Sequence, residues 1–131
     1  MVAILLTVGS AITIGFGVWH LFVPTIWNWY SYIPREAPEL TIAVRAVNAV
    51  FSSSLVILGT LMLIFVHRKP VVVFYERSVS ISLAFLWGVR VALQVIWPQG
   101  SMSSALQHGM LGAFILQFLL FAVSSFLLPR G

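Results

Sequence analysis

Six side chains able to do chemistry interrupt the apolar runs of this sequence: His20, Arg45, Asn48, Arg90, Gln94 and His108. A guanidinium in hydrocarbon costs a few kcal/mol or more unless it reaches water or finds a partner. Arg45 is close enough to the end of its run to snorkel. Arg90 precedes Trp97 by about 10 Å of helix axis, so it reaches the interface only in part and needs an acceptor. Glu76, the one acidic residue inside an apolar run, is about 21 Å away on the same helix and cannot supply it directly. The candidates left are carbonyls and amides, Glu36 or Glu39 folding back from a loop, or a bound amphiphile with an oxygen-rich head: a lipid phosphate, a carboxylate or a quinone.

The histidines add further chemistry. His20 and His108 could act as hydrogen-bonding or acid–base groups beside the arginines, which would clamp developing negative charge. As imidazoles from two helices they could also ligate haem or a metal. No spacing motif accompanies them, so that reading ranks behind the first, and no metal site is assigned. His67 reads as a headgroup-level residue beside Arg68 and Lys69. The Ser52-Ser53-Ser54 run carries no catalytic motif, and the chain has no glycine-rich phosphate loop, HExxH or zinc-ligand spacing. Without cysteine there is no disulfide and no Cys-based zinc, iron–sulfur or redox chemistry.

Helical spacing groups these residues. Arg45, Asn48 and Ser52 fall on one face, Arg90 and Gln94 share a face with Trp87 and Trp97, and His108 shares one with Leu111 and Gly112. Once the helices are folded up, His20, Arg45, Asn48, Arg90, Gln94 and His108, with Gln107 nearby, lie at a common depth. The expectation is one outer-leaflet pocket enclosed by these residues, with Trp87 or Trp97 in its wall.

The elements that position them are membrane spans. Of 131 residues, 60% are hydrophobic and 8% charged, and the mean hydropathy is +1.05. Soluble domains carry about a quarter charged residues. The apolar runs reach about 20 residues or more, enough to cross about 30 Å of hydrocarbon as helix. Stretches such as ISLAFLWGV lack the alternation of a membrane barrel strand. The sequence therefore predicts an all-α, antiparallel bundle of four transmembrane helices, one domain over residues 1–131, with helices near 2–22, 40–66, 71–97 and 103–128. Pro24 and the loop NWYSYIPREAPE should end the first helix. The first segment lacks a basic n-region and a clear cleavage site, and reads as a retained span. The net charge of +4 is spread along the chain rather than gathered into a patch, which argues against nucleic acid.

Arg68, Lys69 and Arg130, with the Glu76-Arg77 pair, mark one side of the membrane; Arg35 is offset by Glu36 and Glu39 on the other. The positive-inside rule places the first side, with both termini, in the cytoplasm. Trp27, Trp29, Tyr30, Tyr32 and Trp97 then form an outer aromatic belt. Small residues recur every fourth position at Ser80, Ala84, Gly88 and Ala92, and again at Ser101, Ala105, Gly109 and Ala113. Such stripes let helix backbones meet closely, which predicts a tight contact between the third and fourth helices. Gly9, Gly15 and Gly17 offer a second, less regular contact.

Gly17, His20 and Pro24, with Pro34 beyond them, form the pattern GxxHxxxP followed by a second proline. It resembles the first-helix signature of DoxX-like small membrane proteins, which are also four-helix chains of about this size. The resemblance spans residues 15–40 and the topology, and Arg90-xxx-Gln94 is similar to a polar pair in some members. Some members look like quinone-linked oxidoreductase subunits, so the resemblance implies a four-helix bundle and a redox association. The aromatic weight of WNWYSY departs from that pattern, and no catalytic role is carried over.

The resulting expectation is a small integral membrane accessory or binding subunit that holds a lipid, quinone or similar amphiphile, within a larger redox complex or a homo-oligomer. The alternative is a membrane-embedded enzyme using histidine and arginine. A dimeric transporter ranks third, because the embedded charges are concentrated in one half of the membrane.

Overall fold

The computed structural model describes residues 1–100 and 103–129; Ser101 of the second stripe and Arg130 of the basic flank lie outside them. Helix α1 runs Val2–Ile26, α2 Pro38–His67, α3 Val73–Ile96 and α4 Ser104–Leu127, with a short 3₁₀ turn at Trp29–Tyr32. All four are long and apolar enough to cross a membrane, and there is no strand among the described residues. The protein is a multi-pass, all-helical integral membrane protein.

Helix α1 continues past its expected end to Ile26, with Pro24 inside it. A proline removes one backbone donor; here that loss falls in the final turn, which Trp27 closes by donating to the Val23 carbonyl at 2.9 Å. Helix α2 starts on Pro38, whose missing N–H sits where no intrahelical partner exists. Ser103 caps α4 by accepting from the Leu106 backbone N–H. Hydroxyls within the spans are commonly satisfied by their own helix: Thr13, Ser54, Ser78 and Ser82 each donate to the carbonyl four residues back, the economical arrangement where no water is at hand.

Two contacts fix the antiparallel order. Thr7 Oγ1 lies 3.2 Å from His67 Nε2, joining the start of α1 to the end of α2. Arg77 donates to the Leu128 and Pro129 carbonyls, joining the start of α3 to the end of α4. One end of the bundle therefore holds the start of α1, the end of α4 and the α2–α3 connection (the terminal end). The other holds the 3₁₀ turn and the α3–α4 connection (the loop end). Helix α1 packs most extensively on α2, and α3 on α4; α1 also meets α4, while α2 and α3 touch least. The molecule is two tight helix pairs with a cleft between α2 and α3.

The small-residue stripes do not all lie where the spacing placed them. Helices α3 and α4 do pack closely, and Ser80, Ala84 and Gly88 contribute: Ser80 Oγ donates to the Phe121 carbonyl at 2.8 Å, and a Cβ at Gly88 would meet the Phe118 ring at 3.4 Å. Ala92 is exposed, and so are Ala105, Gly109 and Ala113. A Cβ at Gly15, Gly109 or Gly112 would touch nothing within 4 Å. Helix α4 instead buries Phe114, Gln117, Phe121 and Ser124, because its aromatic rings are needed to fill the interior. Its small face then turns outward, where lipid tails accept it without penalty. The closest backbone approach is between α1 and α2, where Gly17 sits against the Ser52 carbonyl and Gly59 against α1.

The core combines Leu6, Leu55, Met62, Leu83, Trp87, Phe114 and Phe121. The outer surface carries exposed apolar side chains such as Ile4, Phe85 and Phe126, as fits a chain whose solvent is hydrocarbon.

Candidate functional site: a buried polar cluster beside the cleft

Toward the loop end the interior turns polar. On α1, His20 is buried, with Nδ1 3.4 Å from Ser52 Oγ of α2. Its ring meets Phe51 edge-on at 4.9 Å between centroids. One turn up α2, Asn48 is buried and donates to the Leu21 carbonyl at 3.4 Å, while its Oδ1 has no partner. This half-site belongs to the α1–α2 pair.

The α3–α4 pair supplies the other half. Arg90 is buried, and Nη2 donates to Gln99 Oε1 at 2.5 Å. Its guanidinium carbon lies 4.7 Å from the Phe114 ring centroid, close enough for a cation–π attraction. Its Nε is buried without a partner. Gln94 Nε2 donates to the carbonyls of Gln99 and Gln107, at 2.9 and 3.4 Å, and Gln94 Oε1 accepts from the Gln99 backbone N–H at 3.3 Å. The turn that brings Gln99 back over Gln94 ends at Gly100, whose φ of +77° is open to glycine but strained for other residues.

Aromatic rings join the halves. Phe16 contacts His20, Trp87 and Phe114, at 5.6, 5.3 and 5.5 Å between centroids. Trp87 Nε1 donates to Thr13 Oγ1 at 3.2 Å, tying α3 to α1. Beside this cluster, the cleft between α2 and α3 opens toward lipid with a volume of about 420 Å³. Phe51, Phe85, Leu86, Val89 and Leu93 make it apolar, and Arg90 is the one charged residue in its wall. Phe51 thus faces both His20 and the cleft.

No family model matches this chain, and neither a curated protein nor a solved structure does. The chemistry of the cluster has to be read from its own residues.

Of the six polar residues expected in one pocket, His20, Asn48, Arg90 and Gln94 are brought into the interior and two are not. Arg45 is exposed, its guanidinium 4.8 Å from the centroid of the Tyr30 ring. His108 is exposed and turns back on its own helix, with Nδ1 2.7 Å from the Ser104 carbonyl oxygen. Azimuth separates them: both lie at the expected depth, on faces pointing away from the bundle axis. With His20 facing inward and His108 outward, the structure does not bring the two imidazoles to one ligand. Among the described residues, no three or more His, Cys, Asp or Glu side chains gather as metal ligands.

Of the two tryptophans, Trp87 is fully buried against Thr13 and Phe114 rather than facing the cleft, and Trp97 is 70% exposed. The acceptor for Arg90 is Gln99, not Glu36 or Glu39. Gln99 is a residue that the spacing of polar side chains within the spans does not find; its place in a Pro-Gln-Gly turn next to an embedded Arg-xxx-Gln pair is the available signal. Gln117 was also overlooked, although a lone amide in an apolar helix marks an interior face; both its side-chain polar atoms are buried without partners.

A second groove, about 450 Å³, runs between α3 and α4 toward the terminal end, with Phe85, Phe118, Phe126 and Arg77 in its wall. Arg77 there donates to the Leu128 and Pro129 carbonyls, and its Nε, like that of Arg90, is buried without a partner.

Proposed function

We propose that this protein is a small membrane binding subunit that holds one amphiphile, a lipid or quinone, in the cleft between α2 and α3, with its oxygen-bearing head at Arg90. The observation that carries this reading is Arg90: it lines a lipid-facing cleft whose other lining residues are apolar apart from Ser82, and its guanidinium keeps a buried donor, Nε, unpaired. An unpaired buried donor costs about 1–3 kcal/mol, more if charged, so an oxygen acceptor arriving along the cleft would be favoured. The apolar walls suit an acyl or isoprenoid tail. The DoxX-like resemblance makes a quinone, and assembly with a redox partner, the more specific form of the proposal.

Mild purification followed by native mass spectrometry and an absorption spectrum tests it. Wild-type protein should retain a defined amphiphile, with a quinone-type ultraviolet absorption if that is the occupant. Arg90→Leu should lower its occupancy about tenfold or more, the equivalent of one charge-assisted hydrogen bond, with helicity unchanged. Full retention by a folded Arg90→Leu protein would defeat the proposal.

The terminal end is proposed to face the cytoplasm, on the strength of Arg68 and Lys69 in the α2–α3 connection. Single cysteines placed at residues 30 and 68 should be labelled by an impermeant reagent from outside only at 30. The opposite pattern would invert the topology.

A further inference from the structure

Arg45 is left out of the interior cluster, and its actual surroundings form a site of their own. The 3₁₀ turn and the first two turns of α2 border an open surface cavity of about 400 Å³ whose lining includes Tyr30, Arg35, Thr41, Ile42 and Arg45. In sequence the charges of this region cancel, Arg35 and Arg45 against Glu36 and Glu39. Both arginines line the cavity and neither glutamate does. The Tyr30 ring holds the Arg45 guanidinium from one side, 4.8 Å from the ring centroid to Cζ. A cation resting on an aromatic face keeps its N–H edge free for an anion. Thr41 precedes Arg45 by one turn, so its hydroxyl lies on the same wall.

Depth narrows the choice of anion. Arg45 is seven residues into α2, about 10 Å along the axis from Pro38. Trp27 and Trp29 lie at the same end of the bundle, and such rings settle at the headgroup level. A cationic cavity at that level, with Val47 and Val50 exposed deeper along α2, meets a phosphate oxyanion that has an acyl chain beneath. We propose that the cavity lined by Arg35 and Arg45 binds the phosphate of an anionic glycerophospholipid in the leaflet at the loop end. This site is separate from the Arg90 cleft and stands or falls independently of it.

The test uses the full chain in nanodiscs of phosphatidylcholine doped with phosphatidylglycerol, with bound lipid read by native mass spectrometry. Wild-type protein should retain phosphatidylglycerol in preference to phosphatidylcholine. The double variant Arg35→Gln, Arg45→Gln should lose that preference by about tenfold or more, from the loss of charge-assisted hydrogen bonds. Both residues are exposed, so circular dichroism should show the variant folded. Arg68→Gln with Lys69→Gln removes the same charge from the opposite end and should keep the preference. No preference in the wild type, or equal loss in both double variants, would overturn the site. Saturable binding of glycerol 3-phosphate in lipid-free detergent, without lipid preference, would assign the cavity to a soluble phosphate ester and overturn the lipid.

Discussion

Gly17→Leu should prevent α1 and α2 from pairing, while Gly109→Leu should leave the protein as stable as the wild type. A Cβ on Gly17 would stand 2.8 Å from the Ser52 carbonyl oxygen, 2.9 Å from Val56 Cγ2 and 3.0 Å from Leu55 Cβ. Backbone oxygen and Cβ atoms have no rotamer to escape into, so the helices themselves must move apart. Overpacking of this kind costs about 1–3 kcal/mol for small additions, and leucine adds far more volume. In a bilayer the separated helices meet lipid rather than water, so little drives them back together. Gly17→Ala should already destabilise. Gly59→Ala should destabilise as well, because its Cβ would stand 2.7 Å from Cγ1 of the stiff, β-branched Ile14 and 3.0 Å from the Ser10 carbonyl oxygen. Thermal denaturation followed by circular dichroism in one detergent would rank these variants. Equal melting of Gly17→Leu and Gly109→Leu would show that α1 and α2 do not approach so closely.

The contrast between these glycines shows what could be read from sequence. Span number and approximate limits were legible because length and hydropathy report directly on crossing hydrocarbon. Facing was not. In water an apolar stripe marks the buried side, but in lipid every side is apolar. Ala105, Gly109 and Ala113 therefore gave a spacing that fits a helix contact and equally fits a lipid-facing surface. Polar residues were the better guide to the interior. Gln117 and Ser124 on α4, and Ser10 and Thr13 on α1, are all buried, while a hydroxyl bonded to its own helix, as at Ser78 and Ser82, can face outward.

The candidate site was legible in depth and only partly in direction. His20, Asn48, Arg90 and Gln94 converge because each needs shelter that no single helix provides. Arg45 and His108 occupy similar levels but solve the same problem locally, one on the Tyr30 ring and one on the Ser104 carbonyl. A residue count along the chain cannot distinguish the two solutions, because a long side chain near a helix end can reach a partner on its own surface. Gln99 was hidden for a different reason: its role depends on a turn folding back over α3, and loop geometry has no periodicity to read.

Trp87→Ala should loosen the joint between the two helix pairs and the amphiphile site with it. Trp87 is 1% exposed and projects from α3; its ring centroid lies 5.3 Å from that of Phe16 on α1 and 5.7 Å from that of Phe114 on α4. It therefore touches both pairs. In water-soluble cores a tryptophan-to-alanine change costs about 3–5 kcal/mol, part of it transfer from water. In a bilayer the transfer part shrinks while the lost dispersion contacts remain, so roughly 2–4 kcal/mol is expected. Trp87→Phe keeps most of the ring contacts and loses only the indole donation to Thr13, whose hydroxyl still donates to the Gly9 carbonyl at 2.8 Å. That variant should cost about 1 kcal/mol, one ordinary hydrogen bond. The site is coupled through Phe114, on which both Trp87 and the Arg90 guanidinium rest. With Trp87 truncated, Phe114 can tilt into the space and Arg90 loses its support while keeping its charge. Amphiphile occupancy should then fall in Trp87→Ala and persist in Trp87→Phe, with stability following the same order in a denaturing-detergent titration. If Trp87→Ala matches the wild type in both measurements, the pairs are held together elsewhere and Arg90 is positioned by Gln99 alone.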